Sequence, residues 1–109
     1  MAVLFIVLAL IFGAAGAAKV AGVPFTVDNF ERWPIESTLR FPIGVIEVVL
    51  AILALVGIAN DGAAIVSALG MIVAMAIATW VHVKGHDAPA MTAAAPITGL
   101  IAVIALVTL

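Results

Sequence analysis

Four long apolar runs, parted by three short breaks, leave this chain few ways to fold. They cover residues 2–19, 41–59, 63–83 and 91–109. Each comes close to the roughly 20 residues that carry one helix across a hydrocarbon core. In lipid a single segment satisfies its own backbone polar groups only as a helix, so each run is expected to be one membrane-spanning helix. The side chains agree: 67% are hydrophobic and 9% charged, with a mean hydropathy of +1.43. A soluble domain is about 45–50% apolar and about 25% charged. Ten charges cannot cover the surface of a soluble enzyme, and a disordered chain is excluded by the same balance. With four basic residues against six acidic ones, net charge −2, there is no basic patch for a nucleic-acid backbone. The absence of cysteine removes disulfides, thiolate metal ligands and thiol redox chemistry from the chain itself. The expected fold class is all-α: an integral membrane four-helix bundle, one transmembrane domain over residues 1–109, with the lipid bilayer as its first partner.

The first run, AVLFIVLALIFGAAGAA closing on Lys19, ends in small residues that resemble a signal-peptide cleavage region. No Lys or Arg precedes position 19, and the apolar stretch exceeds a usual signal core, so it is read as a retained span. The break that follows, residues 20–40, holds Asp28, Glu31, Arg32, Glu36 and Arg40 but also scattered apolar residues. Val27, Phe30 and Trp33 share a helical face, which predicts a short interfacial helix opened by Thr26 or Asp28 and closed before Pro34. Trp33 suits the headgroup level. Pro42 fits the first turn of the second span. The turn Asn60–Asp61–Gly62 makes spans two and three antiparallel neighbours. In the fourth span Pro96 predicts a kink, with Thr92 as the candidate partner for the freed carbonyl.

Four spans place both termini on one side. Lys19, Arg32, Arg40 and Lys84 all belong to the first and third connections. The excess of positive charge puts those connections in the cytoplasm. On the same half of the bundle lies Glu47, about 9 Å into the second span at 1.5 Å per residue. An acid at this depth faces the bundle and is paired or protonated. Its face reads Gly44, Glu47, Ala51, Ala54, small enough for close helix packing, while Ile46, Val49, Leu50, Leu53 and Val56 suit lipid. Gly13 with Ala17, and Gly44 with Ala51, are candidates for helix contacts within or between chains. Lys19 either snorkels outward or turns to Glu47. His82, with Thr79 three residues earlier on one face, is either an interfacial residue or part of the same site. His86 reads as solvated loop. The expected polar pocket is Glu47, Lys19, His82 and Thr79. A metal is not expected, because Glu47 and His82 have no ligand spacing and His86 lies beyond the helix. No catalytic motif is present.

Lys19 after a small-residue helix end, Pro24–Phe25, Gly44-Val45-Ile46-Glu47-Val48, and Ala78-Thr79-Trp80-Val81-His82 resemble, in order and placement, the DoxX-like family of small bacterial membrane proteins. The resemblance covers nearly the whole chain. It implies a four-helix bundle in the bacterial cytoplasmic membrane, with an association with redox complexes and quinone as a candidate ligand. Three roles stay open: an accessory or apolar-ligand-binding subunit of a membrane complex, a proton-coupled small transporter using Glu47, and a purely structural subunit whose ion pair, Glu47 with Lys19 or Arg40, fixes helix register. The transporter pattern usually places its acid in the first span, which here has none.

Overall fold

A computed structural model describes residues 2–109. Helix α1 covers Ala2–Ala21 and a short α2 covers Pro24–Arg32. One 3-10 turn, Ser37–Leu39, leads into α3, Arg40–Val56. Helices α4, Asp61–Lys84, and α5, Pro89–Val107, complete the chain. Four of these are long and apolar enough to cross a membrane. The longest dimension, 38 Å, fits the roughly 40–45 Å of a bilayer with its headgroups.

Local sequence explains the element ends. Helix α1 stops at Gly22, whose φ of +70° lets Val23 N–H bond Ala18 C=O at 3.1 Å and close a Schellman cap. Asn60 caps α4, its side chain accepting from Ala63 N–H at 2.9 Å. Helix α2 begins two to four residues before the expected Thr26 or Asp28, because Pro24 takes the first-turn position. The Thr26 hydroxyl turns back to donate to Val23 C=O at 2.8 Å. Helix α5 likewise begins early, at Pro89.

The bundle is built as two close pairs, α1 with α3 and α4 with α5. Between α1 and α3 the backbones touch at Gly16 and Gly44: a Cβ on Gly16 would lie 2.7 Å from Gly44 O, and one on Gly44 2.8 Å from Lys19 Cβ. Gly16, rather than the expected Gly13–Ala17 combination, makes this contact, and Ala17 is exposed. The pairs meet over a dense core of Phe5, Leu8, Ala54, Ala64, Met71 and Ala105. All these residues belong to the half carrying the α3–α4 turn and the two ends of the chain. Leu50, expected to face lipid, is buried instead. Gly70 has no side chain, and the Leu50 methyls fill the space a Cβ there would need.

Pro96 sits inside one continuous helix. The Thr92 hydroxyl does not serve the carbonyl freed by Pro96 as expected. It donates to Asp87 C=O at 3.3 Å, bracing the connection before α5.

Candidate functional site: a roofed cavity with a buried ion pair

In the other half of the bundle the two helix pairs do not close on each other. A cavity of about 440 Å³ separates them. Its walls are nearly all apolar: Phe12 and Ala15 from α1, Ile43 from α3, Ala78 from α4 and Ala95 from α5 are representative.

Lys19 and Glu47 form the polar part of this wall. The Gly16–Gly44 contact sets α1 and α3 close enough for the Lys19 ammonium to reach across, and Nζ lies 2.7 Å from Glu47 Oε1. Both side chains are largely withdrawn from the surface, 16% and 9% exposed. The approach is a direct contact of charges, and among the described residues no further donor satisfies Oε1. Arg40, the other candidate partner, is engaged elsewhere: its guanidinium donates to Lys19 C=O. That bond ties the start of α3 to the end of α1.

His82 lines the same cavity but bonds in a different direction. Its Nδ1 meets Asp87 Oδ2. Asp87 also accepts from Trp33 Nε1–H at 3.0 Å, and from Arg32 through Nε at 3.1 Å and through Nη2. The Asp87 side chain has no exposed surface. Its burial acts to raise the carboxyl pKa, but the bonds from His82, Arg32 and Trp33 outweigh that and hold it below the ordinary 3.8.

This knot fastens α2 over the cavity. Phe30 on α2 and Trp33 just past its end reach down into the lining. Phe30 is buried and meets the Trp33 ring edge-on at 5.0 Å. Trp33 in turn meets His82 at 5.1 Å with planes at 84°. The face of α2 that carries Thr26, Asn29 and Phe30 is thus turned onto the bundle, while Phe25 stays exposed on the outside.

Of the four residues expected to share one pocket, the structure brings Glu47 and Lys19 into contact and sets His82 on the same cavity. Thr79 is not with them. It lines a separate cleft with Met75, Pro96 and Gly99, and its hydroxyl donates to Met75 C=O at 2.7 Å. Sequence reasoning missed Asp87, Arg32 and Trp33 as a unit. The signal was the α4 ending itself: a Schellman cap returns Asp87 N–H to His82 C=O at 3.1 Å, so an acid five residues past a histidine comes back beside it. Thr98, also on the lining, was missed because its hydroxyl bonds Ala94 C=O at 2.8 Å within α5.

Residues 3–107 match the family model described as the DoxX-like family. No curated protein and no solved structure matches the chain.

Proposed function

We propose, from the premise that the chain belongs to the DoxX-like family, that this multi-pass membrane protein binds a small lipid-soluble molecule between its helix pairs. One observation carries the reading: a buried ammonium–carboxylate pair forms the polar patch of an otherwise apolar cavity. Small-molecule sites combine a largely apolar lining with a few polar groups that fix orientation. The volume falls in the usual range of about 300–1,000 Å³. The Lys19 ammonium has N–H groups left to donate, and the Glu47 carboxylate, whose Oε1 is buried against Lys19, has a second oxygen with which to accept. A ring carrying carbonyl or hydroxyl oxygens meets both needs, which makes a quinone the first class to test. In this reading the protein is an accessory, ligand-binding subunit of a membrane complex. We place the protein in the bacterial cytoplasmic membrane, with the α1–α3 and α4–α5 connections inside, since all four basic residues lie in those connections or in the helix ends that flank them.

The test uses the protein in lipid nanodiscs with Trp80→Phe. Trp80 is exposed and does not line the cavity, so the remaining indole is Trp33. Titration with a decyl-tailed benzoquinone is expected to quench Trp33 saturably. Each hydrogen bond to a charged group contributes about 1.5–3 kcal/mol. Glu47→Gln is therefore expected to keep the fold and weaken binding by about tenfold or more. Absence of saturable quenching overturns the reading. A purely structural ion pair gives a different pattern. Lys19→Met then lowers thermal stability, Lys19→Met with Glu47→Leu restores it, and neither changes ligand retention.

A further inference from the structure

Two boundaries of the cavity differ in how they are covered. Toward the headgroups it is covered by α2, fastened by the bonds of Arg32, Trp33 and His82 to Asp87. Toward the bilayer, between α3 and α4, no element among the described residues covers it. The same residues that line the cavity there, Ile46 on α3 and Val73 and Ile77 on α4, are also 57–59% exposed on the outer face. These positions lie within membrane-spanning helices. The seam is entirely apolar at these residues, while the paired charges sit deeper in the wall.

Resting on the ligand-binding reading above, the geometry points to a lateral portal: the ligand enters and leaves through the α3–α4 seam, directly from the hydrocarbon. The same geometry defines the ligand's chemical class. A cavity of about 440 Å³ takes a ring-sized head with room to spare, and a tail too long for the remaining space has only the open side to follow. The tail of a bilayer-borne amphiphile therefore remains in the seam among Ile46, Val73 and Ile77. The head carries no net charge, because the ion pair on the lining, Lys19 with Glu47, is already balanced. The occupant is a neutral, oxygen-bearing ring on a flexible apolar tail, rather than an anionic lipid or a water-soluble metabolite.

The absence of cysteine from the chain makes the test direct. Ile77→Cys, and separately Ile46→Cys, is alkylated in nanodiscs with N-cyclohexylmaleimide, a bulky apolar reagent. Uptake of the decyl-tailed benzoquinone is followed by Trp33 quenching in the Trp80→Phe background. Val3→Cys, exposed on the far half of α1, is the alkylated control. Blocking the route acts on rates; alkylation at Ile77→Cys or Ile46→Cys is expected to slow uptake by about tenfold or more, and alkylation at Val3→Cys to leave it unchanged. Asp87→Asn, which loosens the roof, is expected not to accelerate uptake. Equal rates with and without alkylation at the seam overturn the portal while binding itself stands. So does faster uptake in Asp87→Asn together with no effect at the seam, which locates the route under α2. A protein that takes up no quinone before alkylation overturns the portal and the ligand reading together. Equilibrium affinity for the decyl compound unchanged by alkylation at the seam overturns the assignment of the tail to the seam, while the route, read from the rates, stands.

Discussion

His86 adopts a left-handed backbone, φ +56°, at the end of α4, although Gly85 stands immediately before it. A helix end of this kind usually gives its glycine to the left-handed position. Here the glycine is needed one residue earlier. A Cβ on Gly85 would lie 2.6 Å from Trp33 Cδ1 and 3.1 Å from Val81 O. Glycine is thus used for the approach of the indole, and a histidine accepts the backbone strain. Two substitutions separate these needs. Gly85→Ala is expected to displace Trp33 and lower stability by about 1–3 kcal/mol, the range for overpacking. His86→Gly relieves a left-handed penalty of about 1–2 kcal/mol, partly offset by the entropy of an added glycine, so a small gain is expected. Thermal unfolding in mild detergent reads both, and Trp33 emission should shift in Gly85→Ala alone. At this scale the sequence was legible for Glu47 and Lys19, because an acid in hydrocarbon must face inward and few cations lay within reach. It was not legible for His82, whose partner depends on how a four-residue connection folds back. Thr79 was misjudged for a related reason. Sharing a helical face with His82 says nothing of which neighbour that face meets, and Thr79 turns to the Pro96 cleft.

The elements differ in how they are held. Helices α1 and α3 meet backbone to backbone at Gly16 and Gly44, and small residues at such a contact are what lets membrane helices approach closely. Gly44→Val is expected to force the pair apart, break the Lys19–Glu47 contact and cost at least about 1–3 kcal/mol. The check is thermal stability of Gly44→Val compared with Gly13→Val, where an added Cβ meets only Ala51 at 3.7 Å. Helix α2 is held by charge and hydrogen bonds instead. The Asp87 carboxyl is held below its ordinary 3.8, so its contribution to the folded state is present above that value. It is lost only as pH falls through the still lower folded value. The groups facing Asp87 are Arg32 on α2, His82 on α4 and the Trp33 N–H. Trp33 emission in the Trp80→Phe background is therefore expected not to report release of the roof by Asp87 until the pH is below about 4. In Asp87→Asn the emission should already be shifted at neutral pH. The four spans were readable because lipid demands long apolar helices. The inward turn of α2 was not, because an apolar face reads alike whether it meets lipid or the bundle.

At the scale of the whole molecule, the polar residues collect at one end and the close packing at the other. Single-cysteine labelling in sealed vesicles checks the arrangement: Asp61→Cys, before the α4 core, and Lys84→Cys, at its end, should react from opposite sides. Labelling of both from the same side would contradict four crossings. The order of spans was legible in the sequence, but the pairing of α1 with α3 was not. Short connections bring α3 beside α4 and α4 beside α5, whereas the α1–α3 contact is settled by where small residues let backbones meet. The unequal halves have a volumetric consequence. Voids make the folded state occupy more volume than its atoms need, and compression acts against them. The half built on Phe5, Leu8 and Ala54 has little volume left to surrender. The roofed half holds about 440 Å³. Under hydrostatic pressure the molecule should thus yield from one end: the indole of Trp33 responds first, the terminal half stays rigid, and a molecule filling the cavity makes the whole chain harder to compress.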